Sequence, residues 1–275
     1  MTFRVAQISD THLSAEKPFF VANFKRIGEA LARELPDLVI NTGDISLDGA
    51  SRESDLAEAR RLHDALSVPY LCIPGNHDVG DNIDVPNAHN RFDAECRARY
   101  LRHFGRDWWH VDVPAWRLIG VNAQLFASGE DAAREQGELI AEAVAGARER
   151  RIALFVHKPL FDSHEQEDVV GGRFLNPSSR RDLLTAFGDV RPALVACGHV
   201  HQFRETEAEG SRHVWAPSTA YFIPDTRQPR YGRKEVGYVI HDLRDDGTHA
   251  SRFVLARGTE NLCIADFPAA YGPMH

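Results

Sequence analysis

A chain of 275 residues, 43% hydrophobic and 26% charged, is long enough to bury a substantial core, so one large α/β domain is expected. Its 40 acidic and 32 basic residues give a formal charge of -8 with no lysine-rich tract, which argues against a long nucleic acid as substrate. No apolar run approaches the roughly 20 residues of a membrane-spanning helix, and Cys72, Cys96, Cys197 and Cys263 lack the spacing of a zinc knuckle or a disulfide framework.

The chain runs from Met1 into a strand, Phe3 to Ser9, without a basic or apolar leader, so a cytoplasmic protein is expected. A helix follows from Val21 to Glu34, where Phe24, Ile27, Leu31 and Leu35 recur every three or four residues. Leu38 to Thr42 reads as a buried strand ending at Gly43, Ser54 to Leu66 as a second helix, and Pro69 to Ile73 as a third strand. This βαβαβ opening predicts a largely parallel sheet. After a loop that includes Asp81 to Asn87, Phe92 to Phe104 has helical character. Trp108 to Asp112 and Trp116 to Asn122 suit neighbouring strands of a second sheet, Glu135 to Arg148 a helix, and Arg151 to Val156 a buried strand.

The polar stretch Asp162 to Ser179, with Gly171 and Gly172, is long enough to be a specificity loop. A helix from Ser179 to Phe187 and a strand from Ala193 to Cys197 come next, then three more strands, His213 to Ala216, Glu235 to His241 and Ser251 to Leu255. So many late strands favour two packed sheets with helices outside. The expected domain is 1–257. The tail 258–275 has no clear period, and it frays, covers its own core or packs on a partner in a homo-oligomer.

The chemistry lies where the strands end. Asp10-Thr11-His12 follows the first strand, Gly43-Asp44 the second, Gly75-Asn76-His77-Asp78 the third, His157 the fourth and Gly198-His199-Val200-His201 the fifth. Ends of parallel strands converge on one edge of a sheet, so these distant segments can meet. Singly, Asp10 or Asp44 reads as a turn cap and His157 as a hydrogen-bonded core histidine. Together, Asp10, His12, Asp44, Asn76, His157, His199 and His201 place oxygen and imidazole donors at one site, which favours metal binding. Gly43, Gly75 and Gly198 each precede a candidate ligand, where a missing side chain permits a sharp turn and a close approach.

In order and spacing, these segments closely resemble the calcineurin-like metallophosphoesterase superfamily, with its Asp-x-His, Gly-Asp, Gly-Asn-His-Asp or Glu, lone His and Gly-His-x-His elements. Within it the chain is most similar to the bacterial class III cyclic-nucleotide and glycerophosphodiester phosphodiesterases. Gly75 to Gly80, Tyr100 to Gly105 and Asn122 to Gln124 also resemble segments of other calcineurin-like phosphoesterases, phosphatases among them. The resemblance implies a four-layer α/β fold, two mixed β-sheets packed as a sandwich and flanked by helices. It also implies a first metal on Asp10, His12, Asp44 and His201, a second on Asp44, Asn76, His157 and His199, and Asp44 as the bridge.

The implied activity is hydrolysis of small phosphodiesters, such as cyclic nucleotides or glycerophosphodiesters, by a metal-bridging hydroxide. His77 would serve as a proton donor supported by Asp78. The donor set suits two divalent or mixed-valence ions, manganese or iron first, with zinc or cobalt as alternatives. Candidates for touching substrate are Asn122, Phe161 and His164 from the polar loop, with Lys17 on the opposite rim. The alternatives are a phosphomonoesterase or protein phosphatase of the same fold, and a non-catalytic scaffold.

Overall fold

The computed structural model describes residues 1–88 and 90–271. It opens with β1 (Thr2–Ile8), α1 (Val21–Glu34), β2 (Leu38–Asn41), α2 (Glu53–His63) and β3 (Tyr70–Cys72). The one-turn α3 (Asn76–Val79) and α4 (Ala94–Phe104) follow, then β4 (Trp109–Val113), β5 (Trp116–Val121), α5 (Asp131–Ala145), β6 (Arg151–Val156), α6 (Pro177–Phe187) and β7 (Leu194–Cys197). The described chain closes with β8 (Arg204–Ala208), β9 (Ser211–Trp215), β10 (Tyr238–Arg244), β11 (His249–Val254) and the short α7 (Pro268–Tyr271).

Two mixed sheets result, one ordered β11-β10-β1-β2-β3 and the other β4-β5-β6-β7-β9-β8. The opening β1, β2 and β3 pair in parallel, Val5 against Leu38 and Val39 against Tyr70, as the βαβαβ pattern requires. The anticipated partners β4 and β5 are antiparallel neighbours.

Side-chain alternation sorts the core into layers. Val5, Leu38 and Ile40 face Trp116, Leu118, Phe155 and Val214 between the sheets. Their neighbours Ala6, Ile8 and Val39 face outward and pack with Phe24, Ile27, Leu31, Leu56 and Tyr100 from α1, α2 and α4. On the far side, Ile152, Leu154 and Val156 pack with Ile140, Leu183 and Phe187 from α5 and α6. Strands covered on both faces need apolar residues at every position, hence the unbroken runs at β2, β6 and β7.

Three local expectations change. Leu35 does not extend the buried stripe of α1: at φ 49° it caps the helix, its N–H on the Leu31 carbonyl, and its side chain is exposed. Helix α6 starts at Pro177, whose fixed φ and missing N–H suit the first turn, rather than at Ser179. Strand β8 carries the sequence Arg-Glu-Thr-Glu-Ala at a sheet edge, where polar side chains blunt the exposed ladder and remove the apolar signal.

The tail turns back onto the chain. Ile264 and Ala270 are buried with Phe20, Leu47 and Tyr221 in a small separate cluster, and the Phe267 ring meets Phe19 at a tilt and Phe20 edge-on. Among the described residues no helix is long and apolar enough to cross a membrane.

Candidate metal centre

The loops after β1, β2, β3, β6 and β7 converge at one end of the sandwich. Main-chain bonds lace the first two together: Asp10 N–H donates to Gly43 O at 2.9 Å and His12 N–H to Asp44 O at 3.0 Å. Five of the seven expected ligands have left-handed backbones, Asp10 (φ 52°), His12 (43°), Asp44 (49°), His199 (66°) and His201 (58°). Each such conformation costs a residue with a side chain roughly 1–2 kcal/mol, and its concentration in one cup marks a functional site. Close approach also accounts for two of the glycines. A Cβ on Gly75 would lie 2.2 Å from Asp44 Oδ1, and one on Gly198 would lie 1.8 Å from Ser9 Oγ and 2.6 Å from Asp10 Oδ2.

Three of the imidazoles are fixed from behind by main-chain carbonyls. His157 Nδ1 donates to Thr42 O at 2.8 Å, His201 Nδ1 to Tyr221 O at 3.0 Å and His199 Nε2 to Gly172 O at 2.7 Å. A carbonyl only accepts, so each outer nitrogen carries the proton, and a neutral ring turns a lone pair inward. Those inner nitrogens meet other electron-rich atoms. His157 Nε2 lies 3.3 Å from Asp44 Oδ1 and 3.2 Å from Asn76 Oδ1, His201 Nε2 3.2 Å from Asp10 Oδ1, and His199 Nδ1 3.1 Å from His157 Nε2. Electron-rich atoms converging at this distance in a buried cup suit a bound cation, or protons shared between them where no cation sits.

Protons answer the same crowding. Burial alone would lower the pKa of His157, but the Asp44 carboxylate beside it raises it to about 9. Burial would likewise raise Asp44, yet the His157 and His77 imidazoles hold it well below the usual carboxylate range. Burial, then the neighbouring imidazoles, pushes His12 and His199 well below the ordinary histidine value. Asp10, His12 and His201 form one compact triad, and Asp44, His157 and His199 another; Asp44 also groups with His12 and His77. Carboxylates, imidazoles and the Asn76 amide, without a thiolate, fit an open divalent site.

His77 lies beside this cup. Its N–H donates to Asp44 Oδ1 at 2.8 Å and its Nδ1 to Leu47 O at 2.9 Å, and the ring lines a cleft of about 770 Å³ with Lys17, Asn76, Asp81, Tyr221 and Tyr271. Asp78 does not touch the His77 ring. Its fully buried carboxylate accepts from Ile45 N, Ser46 N and Ser46 Oγ on one loop and Gly75 N on the other, so it ties the Asp44 turn to α3. Burial and the Asp44 charge push its pKa up to about 6.

The candidate substrate contacts lie elsewhere. Asn122 is fully buried, donating to Asp107 Oδ2 at 2.8 Å and accepting from Gln124 N at 3.0 Å, so both its polar atoms are taken up inside the fold. Phe161 is core, 4.9 Å from the His213 ring. His164 is exposed in its loop, its N–H on Glu167, and is not among the residues lining the cleft. The 162–179 segment reaches the cup through a main-chain atom, the Gly172 carbonyl on His199.

Sequence reasoning missed the fully buried Lys158 next to His157, paired with Asp81 of the cleft wall. A lysine closing a buried apolar strand was the available signal. It also missed Tyr221 and Tyr271, whose hydroxyls approach His12 at 3.3 Å and 2.6 Å. No local pattern announces either.

The fold and its cup of donors define a class, and the chain belongs to the calcineurin-like phosphoesterase family, whose model matches residues 3–203. Among curated relatives, it is 29% identical over 257 residues to the 3',5'-cyclic adenosine monophosphate phosphodiesterase CpdA of Pseudomonas aeruginosa, covering 88% of this chain and 86% of that one. It is 32% identical over 284 residues to a probable cyclic nucleotide phosphodiesterase of Moraxella catarrhalis, covering 96% of each. To the glycerophosphodiester phosphodiesterase GpdQ of Enterobacter lignolyticus it is 27% identical, over 86% of each chain. Among solved structures, the purple acid phosphatase PPD1 of yellow lupin matches with a TM-score of 0.68 at 18% identity, over 95% of this chain and 52% of that one, a likeness of fold.

Proposed function

We propose that this chain is a metal-dependent phosphodiesterase acting on small phosphodiesters, cyclic nucleotides or glycerophosphodiesters. Asp10, His12, Asp44 and His201 would hold one divalent cation and Asp44, Asn76, His157 and His199 the other. The observation that carries the reading is the set of inward-facing imidazole nitrogens crowded against carboxylate oxygens, with Asp44 common to both donor groups. The names of the relatives support the diester over the monoester. All four cysteines are free, which supports a reducing, cytoplasmic setting.

Paired cations bound there would polarise a water and neutralise the charge that grows on phosphoryl oxygens. The protein's own part begins with orientation. The Thr42, Tyr221 and Gly172 carbonyls fix three rings before substrate arrives, so no reorganisation is needed during reaction. Because His77 commits Nδ1 to Leu47, Nε2 is the nitrogen left to meet an ester in the cleft. Protonated, it donates to a phosphoryl or leaving oxygen and passes its proton to the departing alkoxide. Asp78 positions both ligand loops.

The test compares kcat/KM of manganese-loaded protein on bis-p-nitrophenyl phosphate and p-nitrophenyl phosphate, followed by cyclic nucleotides and glycerophosphodiesters. Preference for the diester is expected. Higher efficiency on the monoester overturns the assignment.

A further inference from the structure

We infer that Tyr271, carried by the C-terminal segment, is a positioning residue for the metal centre: its hydroxyl sets the ring orientation and tautomer of His12. The inference rests on the two-cation reading above and deepens it. Of the four imidazoles in the two donor groups, three have their outer nitrogen on a main-chain carbonyl, at Thr42, Gly172 and Tyr221. His12 is the exception. Its Nδ1 lies 2.6 Å from the Tyr271 hydroxyl, which in turn receives the Tyr221 hydroxyl at 3.0 Å. A cation held on Nε2 places the His12 proton on Nδ1, where the Tyr271 oxygen accepts it; Nε2 then faces His201 Nε2 and the Tyr221 hydroxyl, each 3.3 Å away. A ligand whose outer nitrogen lacks a partner is free to swing or to change tautomer, and loss of such a partner typically weakens metal binding about 10- to 100-fold.

The partner of His12 thus arrives from 259 residues further along the chain. The segment is seated by contacts of its own: Phe267 lies 5.6 Å from both Phe19 and Phe20, Lys17 Nζ donates to Ala270 O at 2.9 Å, and Ile264 N donates to Phe222 O at 3.1 Å. The apolar cluster it forms is separate from the three main cores. Seating of the segment and occupancy of the His12 site therefore share one hydrogen bond, and the coupling acts in both directions: the seated tail tightens the cation, and the cation tightens the tail.

Tyr271→Phe tests this in the full-length chain, because it keeps the ring, 5.2 Å from His77, and removes only the hydroxyl. Calorimetric titration of metal-free protein with manganese should show two binding steps in the wild type. In the variant one step should weaken roughly 10- to 100-fold while the other moves less than about threefold. The second readout is tryptic release of the tail at the exposed Arg257. Saturating manganese should slow release several-fold in the wild type and leave it unchanged in Tyr271→Phe. Two unaltered steps, equal weakening of both, or undiminished manganese protection in the variant overturns the inference. A wild type that takes up no ion pair overturns the phosphodiesterase reading and this inference together, whereas wild-type pair binding that Tyr271→Phe leaves intact overturns this inference alone.

Discussion

His241 gives a quantitative test of how the two sheets are joined. It is fully buried on β10, where Nε2 contacts Gln7 Oε1 at 2.9 Å and Nδ1 contacts Ser251 Oγ at 2.8 Å. Gln7 spends its own amide N–H groups on Thr42 Oγ1 and on Cys197 O of the other sheet, so its oxygen must accept, and His241 is held as the neutral Nε2–H tautomer. Burial, reinforced by His249, lowers its pKa to about 3. Folded protein therefore resists a proton that the unfolded chain takes up near pH 6.5. Stability from this group is complete above pH 6.5 and is lost as pH falls toward 3. At pH 5 the deficit is about 1.5 pH units at about 1.4 kcal/mol each, or roughly 2 kcal/mol. The assay is urea denaturation of metal-free protein at pH 7 and pH 5, for wild type and His241→Gln, since glutamine can still donate to Gln7. The drop between the two pH values should be about 2 kcal/mol smaller in the variant. An identical drop in both proteins would refute the buried neutral histidine.

Asp44→Ala should reduce bound metal below two ions per chain and abolish turnover, measured by elemental analysis of the desalted protein. His77→Ala should retain both ions while kcat falls about 10²- to 10⁴-fold; a metal-replete variant with wild-type turnover would remove His77 from the chemistry. Asp78→Ala strands the buried N–H groups of Ile45, Ser46 and Gly75. At roughly 1–3 kcal/mol each, urea denaturation should show a loss of several kcal/mol, and a loss under about 1 kcal/mol would contradict its part in joining the loops.

Most of the fold was legible because its signals are local. Val39 and Ile40 face different cores, and so do Leu154 and Phe155, so the unbroken apolar runs around them record burial on both faces. The expected donors were legible for a related reason: each sits within a few residues of a strand end, and parallel strands bring their ends together. What sequence could not supply was direction. Asp78 lies next to His77 in the chain, yet its carboxylate points into the Ile45 and Ser46 turn, while the carbonyl of Leu47 takes the His77 ring. Asn122 resembled a pocket residue by its neighbours Ala123 and Gln124, but the turn they make takes its side-chain oxygen and Asp107 takes its amide N–H. Tyr271 stands in a stretch with no period, and only the return of the chain over Phe19 and Phe20 brings it to His12.

The left-handed backbones at Asp10, His12, Asp44, His199 and His201 are strained for residues with side chains. The strain is offset locally, since Asp10 accepts from the His199 N–H and Asp44 from the His77 N–H, so trimming either side chain to glycine would free the backbone and strand a backbone donor in the same step.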